Sequence, residues 1–97
     1  MPTDTALALI AAYRAKRKSN PDLDRATLYK YVLWDRFQGA MILDREIDEM
    51  AGAAESVYEL AVMVALHERP QLAEPGLRAT LEKELARFFD LNAPDLL

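Results

Sequence analysis

Residues 40–66 read AMILDREIDEMAGAAESVYELAVMVAL, and the packing of this stretch decides the fold. Counting in sevens from Ala40 gives Ala40, Ile47, Ala54 and Ala61. The same count from Leu43 gives Leu43, Met50, Val57 and Val64, so both seam positions of a heptad stay apolar. The spacing predicts a packing helix over about 40–68, with a polar outer face in its middle and apolar residues almost all round towards its end, at Leu60, Val62, Met63 and Leu66.

Working outward, the segment before this helix holds most of the large rings: Tyr29, Tyr31, Trp34 and Phe37, interleaved with Leu28, Val32 and Leu33. A second helix is expected over about 21–38, with Asn20 as its N-cap and Pro21 at its first position. A helix running on through Gly39 would span about 70 Å at ~1.5 Å per residue, too long for a lone domain of this size, so either the helix breaks or bends there or it runs on and dimerises, the break being the favoured expectation. A first helix over about 4–18 places Ala6, Leu9, Ile10 and Tyr13 on one face. Pro70 stops the long helix, and a fourth over about 75–91 carries a stripe of Leu77, Leu81, Leu85 and Phe88 before Pro94. Residues 95–97 read as a frayed or lightly docked tail. No stretch alternates with period two over a useful length. The fold class is therefore all-α: one domain over residues 1–97, a four-helix bundle-like arrangement with a long heptad-patterned helix, and a helical homodimer if the seam pairs between copies.

Composition narrows the chemistry. The 97 residues contain no cysteine and one histidine, which removes disulfides and thiolate chemistry and restricts metal binding. Asp44 and Asp48, and Glu55 and Glu59, lie four apart on one helix face, but residue 64, three before His67, is valine. A carboxylate metal centre needs a histidine three residues after a glutamate, so no metal or cofactor is expected. The serines, Ser19 and Ser56, stand far from His67 in sequence, no Gly-rich phosphate loop is present, and a helical enzyme is the least favoured reading. The longest apolar run, Leu60–Leu66, is too short to span a bilayer; with no export signal at the N-terminus, a cytoplasmic protein is expected.

Charge is unevenly spread. Residues 1–36 carry seven basic and four acidic side chains, and residues 37–97 carry five basic and twelve acidic, for a net charge of −4. Arg14, Lys16, Arg17 and Lys18 fall in the last turns of the first helix, where cations meet the negative end of the dipole. Just downstream, Arg25-Ala26-Thr27-Leu28-Tyr29-Lys30-Tyr31 resembles the recognition helix of helix-turn-helix repressors of the tetracycline-repressor type. The resemblance covers seven residues, and Asn20-Pro21-Asp22-Leu23-Asp24 stands where that family has a glycine and a small apolar residue in its turn. It implies a nucleic-acid contact through Arg14, Lys16, Arg17, Lys18, Arg25 and Lys30.

The reading favoured over this one is a small helical protein–protein interaction module without catalytic activity, an adaptor, regulator or inhibitor. Its interface would be the seam Ala40, Leu43, Ile47, Met50, Ala54, Val57, Ala61 and Val64, with a second copy as the simplest partner. The acidic face Asp44, Asp48, Glu49, Glu55 and Glu59 would be open to a basic protein.

Overall fold

The computed structural model describes residues 1–97 as five α-helices joined by short turns, with 79% of residues helical and no strand. The helices are α1 (Pro2–Ser19), α2 (Arg25–Arg36), α3 (Asp44–Ala53), α4 (Val57–Glu68) and α5 (Pro75–Asn92), with 3₁₀ turns at Pro70–Ala73 and Pro94–Leu96. No dimension of the molecule exceeds 38 Å, so the 40–68 stretch cannot run straight.

That stretch is where expectation and structure differ most. Gly39 adopts φ +81°, a left-handed conformation that only glycine takes without steric cost, and α2 ends just before it. Residues 40–43 are not helical, and α3 begins at Asp44. A second break follows at Ala54-Glu55-Ser56, where Ala54 and Ser56 have extended backbones. Ser56 Oγ accepts a hydrogen bond from the Glu59 N–H at 3.1 Å, and Glu59 Oε1 accepts one from the Glu55 N–H at 3.0 Å. This reciprocal cap satisfies donors that a continuous helix would have bonded internally, and it starts α4 as a separate element. The predicted single helix is thus two, and the chain has five helices instead of four.

The start of α2 also moves. Asn20 Nδ2 and the Asn20 N–H both donate to the Lys16 carbonyl, so Asn20 closes α1 instead of opening α2. Arg17 Nη1 donates to the carbonyls of Pro21 (3.3 Å) and Leu23 (2.7 Å), which turns them away from helical bonding. The helix therefore begins at Arg25 behind an extended Asp24.

A contiguous core gathers α1 through Ala6, Leu9 and Ile10; α2 through Tyr29, Val32 and Leu33; α3 through Ile47 and Ala51; and α5 through Leu81, Leu85 and Phe89. At its centre α4 buries Val57, Leu60, Ala61, Val62, Val64 and Ala65, and it is touched by α1, α3, α5 and the Pro70–Ala73 turn. The stripe on α5 differs from expectation at both ends, since Phe89 is fully buried, Phe88 only partly, and Leu77 is exposed. The tail is docked, with Ala93 buried and Leu96 packed on the core.

Leu60→Ala should cost ~2–5 kcal/mol, and Ser56→Ala ~1 kcal/mol. Gly39→Ala should also destabilise, whereas Gly52→Ala, in a helix with open space around the added methyl, should stabilise by ~0.4–1 kcal/mol. Urea denaturation of the four variants checks all four signs.

Candidate functional site

The seam turns out to be interior. Ile47, Ala54, Val57, Ala61 and Val64 are buried by the chain's own helices, and Met50 is partly buried. These six residues are therefore not an exposed strip in this fold, because α1, α2 and α5 already occupy the space a second copy would need. Only Ala40 and Leu43, which lie in the non-helical segment before α3, remain exposed.

The charges resolve in the same way. Arg14 makes a two-pronged pair with Asp95 at 3.0 and 3.1 Å. Lys16 meets Asp35 at 2.6 Å, Arg25 meets Glu55 at 3.0 Å, and Lys30 meets Asp48 at 3.4 Å. Arg36 forks onto Glu68 at 2.9 and 3.0 Å and donates to the buried Thr5 hydroxyl at 3.2 Å, tying α1, α2 and α4 together. The Glu68 bond raises the Arg36 pKa, and the Arg14 bond holds Asp95 below the usual carboxylate range.

Of the six cations expected to face phosphates, four are thus paired with carboxylates, and Arg17 is spent on backbone carbonyls and the Tyr13 hydroxyl. Lys18 alone has no partner. Tyr29 is buried edge-on against Tyr13, with ring centroids 5.9 Å apart, so of the two tyrosines in the run that resembles a recognition helix one is packed into the core, while Tyr31 is half-buried against Trp34. On the acidic face, Asp48 and Glu55 are paired and Glu59 is engaged in the α4 cap, which leaves Asp44 and Glu49 open. No group of three or more histidine or carboxylate side chains converges as a metal site.

What the structure does expose is an apolar corner at the α2–α3 turn. In the irregular segment after Gly39 the Ile42 N–H turns back to the Ala40 carbonyl at 3.2 Å; Ile42 packs on the core, while Met41 is fully exposed and Leu43 is 56% exposed. Trp34, in the last turn of α2, is 44% exposed and leans on Tyr31 with ring centroids 5.6 Å apart. The ion pairs Arg25–Glu55 and Lys30–Asp48 fix α2 and α3 as an antiparallel hairpin. Continuing that register brings Trp34 level with the start of α3, so Trp34, Met41 and Leu43 share one end of the hairpin. Sequence reasoning missed this corner because it placed residues 40–43 inside a helix and counted Leu43 as seam.

Burial pushes the Tyr29 phenol up to about 12 from its ordinary 10.0, with the neighbouring Tyr13 adding to the shift. The neutral phenol is thus favoured in the fold; its contribution is complete below about pH 10 and is lost as pH rises through about 12. Titration of phenolate absorbance should show a late-ionising tyrosine that Tyr29→Phe removes. No protein-family model, curated protein or solved structure matches this chain.

Proposed function

We propose that the chain is a helical protein–protein interaction module, with no reaction of its own, that docks its partner on the Trp34–Met41–Leu43 corner. One observation carries this reading: three large apolar side chains stand in water at one end of a hairpin otherwise fastened by packing and ion pairs. Single exposed hydrophobics are ordinary, but three large ones within ten residues around one turn favour a contact surface, and tryptophan and methionine are enriched at such surfaces. Completing burial of the fully exposed Met41 gains roughly 1.5–3 kcal/mol, and of Trp34 and Leu43, already about half covered, roughly half as much each. The segment is short and pinned on both sides, by Gly39 turning back so that the Ala40 N–H meets the Phe37 carbonyl, and by the Leu43 N–H donating to Glu46 Oε2. Little conformational freedom is left to lose on binding, which favours affinity. Self-association along the 40–64 seam is not part of this proposal.

A photo-crosslinking amino acid placed at Met41, compared with one at the exposed Ala79 on α5, tests the surface in the native host. The reading expects a discrete adduct at position 41 that disappears when Trp34→Ala and Leu43→Ser are added, with thermal stability of the variants unchanged. Equal, diffuse labelling at both positions would contradict it.

A further inference from the structure

A second feature lies away from that corner, where the last turns of α1 meet the tail. Tyr13, Arg14, Arg17, Lys18, Asp95 and Leu96 line an open cleft of about 500 Å³. Its charge is lopsided: three cations face one carboxylate, in a protein whose net charge is −4. Asp95 neutralises Arg14. Arg17 bonds only neutral groups, namely the Tyr13 hydroxyl and two backbone carbonyls, and its guanidinium lies 5.8 Å from the Tyr13 ring centroid. Lys18 bonds no acid, so the cleft keeps a positive surplus that the tail does not satisfy.

The tail shows what chemistry fits. Beyond α5 the chain is fixed by the buried Ala93 and then makes a single 3₁₀ turn. That turn presents an aspartate to the Arg14 fork and the next residue, Leu96, to the apolar core beside it. An acidic side chain followed by a leucine is therefore already seated, held by an exposed ion pair and one partly buried side chain. The pair is solvent-exposed and the turn buries only part of one large side chain, so this segment opens at less cost than the helices it leans on.

We propose that the face of α1 carrying Arg14, Arg17 and Lys18, with the apolar patch under Leu96, is a docking site for a partner-protein segment combining acidic side chains with leucine; Asp95–Leu96 is its intramolecular stand-in, a latch that lifts to admit it, and the open cleft beside the latch leaves room for the rest of the segment. A partner with a second carboxylate would engage Lys18 or Arg17 as well as Arg14, which the tail cannot do. The site is independent of the Trp34–Met41–Leu43 corner, and either can fail without the other.

The test uses the full chain and two fluorescent peptides, Ala-Pro-Asp-Leu-Leu and its acid-enriched form Glu-Glu-Asp-Leu-Leu, with anisotropy as the readout. Opening the latch with Asp95→Ala and Leu96→Ala should tighten binding by about ten-fold over the wild-type chain. The acid-enriched peptide should bind better than the plain one. Adding Arg14→Ala to the opened chain, or replacing the first leucine of the peptide with alanine, should each weaken binding by about ten-fold. If the double variant does not fold by circular dichroism, Asp95→Asn alone serves with the same expected direction. Equal binding to latched and opened chains, or binding indifferent to Arg14 and to the peptide leucine, would overturn the proposal. So would inorganic phosphate displacing both peptides as effectively as an unlabelled peptide, since the cleft would then be a plain anion site.

Discussion

The structure depends on enclosing α4. Twelve residues, VYELAVMVALHE, contain too little polar surface to leave one side in water, and their buried side chains project in several directions around the helix. Removing each larger one from water contributes roughly 1.5–3 kcal/mol, a gain available only if neighbours close around the helix. Here α1, α5, α3 and the Pro70–Ala73 turn do so within one chain. That requirement explains the second break in the 40–68 stretch. A straight continuation would carry α3 away from the cluster that α4 organises, whereas the cap at Ser56 and Glu59 lets α3 fold back to pair with α2.

The charge asymmetry belongs to the same enclosure. Four of the cations in residues 1–36 reach carboxylates in the later part of the chain: Arg14 to Asp95, Arg25 to Glu55, Lys30 to Asp48 and Arg36 to Glu68. Each pair is partly exposed, and the single-pronged ones, Arg25–Glu55 and Lys30–Asp48, are individually weak, so packing supplies most of the stability and the pairs supply register. Arg36 does most, since its fork on Glu68 and its bond to Thr5 join the ends of three helices, and Thr5 is the one polar residue in the buried set. A basic N-terminal third and an acidic remainder thus need no external polyanion or polycation to account for them.

How much could be read beforehand follows from the range of each signal. The helical class, the stop at Pro70 and the inward face of α1 are written in local patterns, and the structure has them; the turn at Gly39 followed from the length a continuous helix would need, since the heptad count ran on through it. The heptad misled because a short irregular segment kept the phase: Ala54, at the start of the break, and Val57, just after it, are both buried. The local sign of that break was present, since Ser56-Val57-Tyr58-Glu59 carries the serine and glutamate spacing of a capping box ahead of an apolar run. The late start of α2 was not legible, because it depends on Arg17 reaching carbonyls in the next turn. Nor were the ion pairs between distant segments, which exist only once the helices are placed. The apolar corner needed the irregular path of residues 40–43, which leaves Met41 and Leu43 exposed while Ile42 packs on the core.

The enclosure of α4 within a single chain is best tested by amide hydrogen exchange followed over a wide range of protein concentration. The α4 amides from Leu60 to Leu66 should be among the slowest in the molecule, opening only with global unfolding, at rates that do not change on dilution. Protection of α4 that falls as the protein is diluted would contradict this, because it would mean that a second chain completes the core.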